Sequence, residues 1–200
     1  MFKLSRPTDR LLLNFLNEQK TLPFSYHEVN GTKGDERIPS YDNDLNVQVL
    51  GNGEKAWQAA REAIKQWKMF PGAWAYVHPA PLPIETDVVV SMVARVAGMW
   101  WINACRIVYV LDTENKFGFA YGTLPGHVEK GEELFMVEKL PDGQVQYVIK
   151  AFSKPRHWMA RFGYPLARFH QRRFVADSKR SMLAFVERNE EVLHRTNHLS

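Results

Sequence analysis

The chain has 200 residues, of which 45% are hydrophobic, and a net charge of +4 at pH 7. That length and apolar content suit a single domain with a sizeable core. One cysteine, Cys105, excludes an intramolecular disulfide and fits a reducing compartment, so a soluble cytoplasmic protein is expected. The first residues hold no apolar signal-peptide core, being interrupted by Arg6, Asp9 and Arg10. The longest apolar stretch, Val88 to Trp101, contains Ser91 and Arg95 and is shorter than the ~20 residues that span a bilayer. It reads as one or two core strands.

In chain order, Ser5 or Thr8 can cap a first helix whose apolar face is Leu12, Phe15 and Leu16, ending near Lys20 ahead of Pro23. Residues 21 to 44 hold two prolines, Asn30-Gly31 and Gly34, and read as a long connecting loop. A strand over Leu45 to Leu50 turns at Gly51-Asn52-Gly53 into a helix over Glu54 to Lys68, striped by Trp57, Ala60, Ile64 and Trp67. The glycines lack the Lys-Ser/Thr of a phosphate loop. From Ala73 the period becomes strand-like. Strands are predicted at 73–78, 87–97, 104–111, 116–123, 132–138 and 144–152, and Asp112 to Asn115 and Pro141-Asp142-Gly143 read as hairpin turns. After Pro155 the chain reads as helix, with Phe162, Leu166, Phe169 and Phe174 near one face. The fold expected is α+β: a curved antiparallel sheet packed on a long C-terminal helix. Residues 1–40 form a helix-and-loop extension, and 41–200 a single domain.

Polar residues concentrate in Tyr121 to Glu133. His127 could shuttle a proton, with Glu132 or Glu133 orienting it and Tyr121 donating a hydrogen bond; His127, Tyr121 and Glu133 are therefore the candidate catalytic residues. One histidine beside Glu129 and Glu133 is too few donors for zinc, and neither a metal nor a cofactor is expected. Cys105 reads as a structural thiol. Trp100 and Trp101 alternate across a strand, so at most one of them lines a pocket. Between Arg156 and Arg188 eight Lys or Arg face only two acids. Arg156, His157, Arg161 and Arg168 could bind an anionic group. The same stripe would suit peripheral contact with an anionic membrane, whereas the helix-core spacing of the aromatics speaks against nucleic acid.

The segments Val49 to Gly53, Trp67 to Pro71, Phe117 to His127, Ser153 to His157 and Gln171 to Phe174 resemble the DUF-nineteen-ninety family of bacteria and plants. That resemblance covers roughly Tyr41 to Glu187 and implies no activity. The element order is also similar to the START and Bet v 1-type helix-grip fold, whose members hold apolar ligands between sheet and helix. That element order together with the abundant aromatics leads to the expectation of a small-molecule-binding domain for an apolar or amphipathic ligand, with Tyr121, Arg156 and Trp101 as candidate ligand contacts. An enzyme acting on such a ligand is the alternative, and an interaction or peripheral membrane protein a third.

Overall fold

Two consecutive residues with left-handed backbone, Ala97 (φ 50°) and Gly98 (φ 79°), fold the apolar stretch back on itself. Such a pair makes the tight hairpin turn whose twist matches that of the flanking strands. The stretch is therefore two strands, β4 (Val89–Val96) and β5 (Met99–Asp112), and the second begins five residues earlier than its β-branched pattern predicts. The computed structural model describes residues 1–80, 82–156 and 164–197, with side chains in the last segment over 168–190.

The remaining elements are β1 (Phe2–Lys3), α1 (Asp9–Gln19), β2 (Asp42–Asn52), α2 (Gly53–Lys65), β3 (Ala75–His78), β6 (Lys116–Thr123), β7 (Glu129–Lys139), β8 (Gln144–Pro155) and α3 (Tyr164–Asn197). All strand pairs are antiparallel, in the order β2-β8-β7-β6-β5-β4-β3, with β1 added to β5. Only β1 has no counterpart among the predicted strands. The result is the helix grip: a curved sheet closed on one side by α2 and α3.

Strand alternation gives the sheet two apolar faces. On the inner face Phe119, Phe135, Tyr147 and Ile149 pack against Trp57 and Ile64 of α2, Trp67 beyond it, and Met182 and Val186 of α3. Ser178, Met182 and Val186, four residues apart, are the buried line of α3. Polar contacts along its middle help fix that helix: Ser178 Oγ to Tyr147 Oη at 2.9 Å, Trp74 Nε1 donating to Asp177 at 2.8 Å, and Ser181 Oγ donating to the Lys68 carbonyl at 2.6 Å. Phe169 departs from expectation: it is 61% exposed, because this buried line runs along another side of the helix. Phe162 and the side chain of Leu166 lie outside the described residues.

The outer face is covered too. α1, capped by Thr8, lays Leu12 and Phe15 on Val93, Ile102, Ala104 and Leu124. Arg106 ends that helix by donating to the Lys20 and Leu22 carbonyls. The loop after it is anchored by one buried carboxylate: Glu132 accepts from Tyr26 Oη (2.8 Å), the Asn30 and Thr32 amides (2.9 and 3.0 Å) and the Thr32 hydroxyl. Among the described residues no helix is long and apolar enough to cross a membrane.

Candidate functional site

Residues directly opposite in a sheet share a face, so the registers assemble the site row by row. One row across the inner face reads Asn46, Ile149, Phe135, Phe119, and is filled by aromatic packing. The next reads Asp44 on β2, Ala151 on β8, Glu133 on β7 and Tyr121 on β6. Beyond it Ser153 faces Gly131. Small residues in these rows, together with Ala75 and Ala94, leave room that large side chains fill elsewhere. Gly131 has no alternative: at φ 149° a Cβ would stand 1.9 Å from the Phe152 carbonyl oxygen.

The room is a cavity of about 660 Å³ between the inner face and α3. Its apolar wall includes Trp74, Met92, Trp101, Ile149, Phe174 and Val175. That volume lies within the range of small-molecule sites. Polar groups enter at a few points. Tyr121, 3% exposed, donates from Oη to Glu133 Oε2 at 2.7 Å and lies 2.8 Å from Met92 Sδ. Burial pushes the Glu133 carboxyl up to about 7, against the Tyr121 hydrogen bond and helped by the nearby charge of Glu129. Burial likewise raises Glu129, whose Oε1 accepts from Gln171 Nε2 at 2.7 Å. Toward the opening, Arg168 grips Asp44 with both terminal nitrogens, at 2.6 and 2.8 Å, and holds that carboxyl below its ordinary range.

His127 also lines the cavity, but in a different role from the one its residue type suggests. Its Nδ1 accepts the Glu129 backbone N–H at 2.9 Å, which requires that nitrogen to be unprotonated. Burial pushes the imidazole down to about 3. It is a neutral structural group at physiological pH and not a near-neutral proton shuttle. Among the described residues no hydrogen bond joins it to Glu132 or Glu133. Glu132, one residue from Glu133, sends its carboxylate to the opposite face, where it anchors the loop after α1.

The other expected site residues separate in the same way. Trp101 lines the cavity, and its Nε1–H is buried without a partner; Trp100 lies on the outer face beside Tyr76. Arg156 does not reach the cavity: its guanidinium donates to the Pro125 carbonyl, bracing the loop that carries His127. His157 and Arg161 lie outside the described residues. Cys105 is fully buried, and burial pushes its thiol well up, so it is not a thiolate nucleophile. No group of three or more His, Cys, Asp or Glu among the described residues is placed to hold a metal. Asp44, Gln171 and Met92 were not singled out by sequence reasoning. The signal for Asp44 lies in β2, whose inward positions Asp44, Asn46 and Gln48 are polar while outward Leu45, Val47 and Val49 are apolar.

Residues 25–181 match the family described as Domain of unknown function (DUF1990). A UPF0548 protein of Dictyostelium discoideum is 34% identical over 97% of this chain and 100% of its own length. A UPF0548 protein of Deinococcus radiodurans is 32% identical over 86% of this chain and 92% of its own. Among solved structures, the Zhui aromatase/cyclase from a Streptomyces species is similar with a TM-score of 0.52 at 13% identity, covering 74% of this chain and 93% of that one. That level of identity speaks for the fold alone.

Proposed function

The chain belongs to the family described as Domain of unknown function (DUF1990), and from that premise we propose that it is a small-molecule-binding domain holding an apolar or amphipathic ligand between its sheet and α3. The observation that carries this reading is the cavity itself: about 660 Å³, walled mainly by apolar side chains, with the Tyr121–Glu133 pair at its floor. Tyr121 and Trp101 are the proposed ligand contacts, and Arg156 supports the loop at one rim. A domain whose only task was structural would gain stability by filling such a space. The competing anionic-surface reading is weakened by the helix itself: Arg168 is engaged by Asp44, and Arg173 and Arg180 by Asp177.

The test is steric. Ala151 sits between Asp44 and Glu133 in the register. An Ala151→Leu substitution pushes a branched side chain into the cavity without touching the Phe135–Phe119 core. Native mass spectrometry of the freshly purified parent should show a reproducible small-molecule adduct that the folded Leu variant lacks. A parent repeatedly free of adduct, and indifferent to a panel of apolar probes, would remove the proposal.

A catalytic reading is favoured by one observation, the Tyr121–Glu133 hydrogen bond beside open space. In it Glu133 replaces His127 as the acid–base group and Tyr121 orients it. Turnover of the bound ligand would then be lost in Glu133→Gln while binding persisted.

A further inference from the structure

Of the three carboxyl groups on Asp44, Glu129 and Glu133 that line the cavity, only that of Asp44 is in an ion pair among the described residues. Asp44 is engaged by Arg168. Glu129 is reached by the neutral amide of Gln171, and Glu133 by the neutral hydroxyl of Tyr121. Neither glutamate has an ion-pair partner among the described residues. Glu133 Oε2 is taken by Tyr121, and no described hydrogen bond reaches Oε1. Both Glu133 and Glu129 line the cavity. We propose, building on the ligand-binding reading above, that the ligand is a cationic amphiphile: an apolar body with a basic nitrogen that seats between Glu133 and Glu129.

The other groups around Glu133 leave the same vacancy for positive charge. From β5 comes the buried Cys105 thiol, from β8 the Tyr147 hydroxyl, both held in their neutral forms by burial. His127 on the loop is neutral. On α3, His170 is pushed down by burial and by Arg173, and Arg172 is exposed at the rim, where its charge acts on Asp44. An anionic ligand head would add a further negative charge beside two carboxyls that have no ion-pair partner among the described residues, only Glu129 feeling the charge of Arg168, and a neutral one would bring Glu133 no counter-charge. A protonated amine lets Glu133 ionise, so its uptake at neutral pH releases a proton from the protein.

The chemistry separates cleanly with three probes of one chain length: decylamine, decanol and decanoate, titrated by calorimetry into the whole chain. At pH 8 the amine should bind about tenfold or more tighter than the alcohol, since each pH unit by which the cation pulls Glu133 back toward its ordinary range is tenfold in affinity. Its advantage should shrink as pH falls from 8 to 5, because Glu133 protonates, and should largely vanish at pH 8 in Glu133→Gln. The pH series on the unsubstituted protein gives the same test should that variant fail to fold. Alcohol or carboxylate binding as tightly as amine at pH 8 would overturn the cationic class and leave the cavity reading standing. Failure of all three to bind would bring down the ligand-binding reading, and this inference with it.

Discussion

Replacing Glu133 with Gln should make the protein more stable at pH 8 and remove the loss of stability that this carboxyl causes between pH 5 and pH 8. The folded state keeps the Glu133 proton up to about pH 7, whereas an unfolded chain releases it near the ordinary 4.5. Between those values the folded protein binds more protons than the unfolded one, so stability falls as pH rises, and the loss is complete above pH 7. At about 1.4 kcal/mol per pH unit the penalty is about 3 kcal/mol. Gln removes the charge and keeps a carbonyl oxygen for the Tyr121 hydroxyl, so most of that penalty should be recovered. Glu129 contributes in the same direction and stays in place, leaving a residual slope. Asp44 and His127 act with the opposite sign: Asp44 loses its stabilisation only in acid, and the depressed His127 makes the fold more stable as pH rises from about 3 to its ordinary 6.5, so only the difference between parent and variant isolates Glu133. Urea unfolding at pH 5 and pH 8 on parent and variant measures the four free energies needed. A variant whose gain in stability over the parent is no larger at pH 8 than at pH 5 would refute the reasoning.

Other perturbations probe the framework of the site. Tyr147→Phe leaves the buried Ser178 hydroxyl without its 2.9 Å partner and should cost about 1–3 kcal/mol in chemical denaturation. Adding Ser178→Ala to that variant should recover part of the loss, because no orphaned hydroxyl then remains. Glu132→Ala removes the shared acceptor of Tyr26, Asn30 and Thr32, and should destabilise by about 3 kcal/mol. Amide exchange at Asn30 and Thr32 should accelerate in the same variant, while probe binding in the cavity on the other face is unaltered.

Periodicity and turn chemistry made most of the strands legible, and the antiparallel order followed from short connections. The β4–β5 turn was not, because Ala97-Gly98 is flanked by apolar residues that continue the strand pattern and only its positive φ values mark the reversal. For the site, residue types pointed to Tyr121, His127 and Glu133, and all three line one cavity. What they could not supply was register. Tyr121 and Glu133 are opposite one another because an irregular five-residue connection joins β6 to β7 with Gly122 facing Glu132. Nor could residue type separate Glu132 from Glu133, neighbours whose carboxyls part to opposite faces and opposite roles. Phe169 misled for a related reason: a helical period gives the spacing of a buried line, and which side of α3 meets the sheet is settled by Ser178, Met182 and Val186.

The inverted pattern of β2 carries a folding consequence. Leu45, Val47 and Val49 stand 66%, 42% and 45% exposed, while Asp44 and Asn46 turn inward. A slip of one residue along β8 would bury those three apolar side chains and send the polar ones to solvent, so an alternative pairing with more hydrophobic burial lies one step away. The native register needs local clamps to hold it. Asn43 provides one, bonding the Ile38 amide and the Ile38 and Tyr41 carbonyls; the two-pronged grip of Arg168 on Asp44 provides the other. That pair therefore acts as a latch on strand alignment, and the open room beneath α3 exists because the chain resists a locally greasier solution.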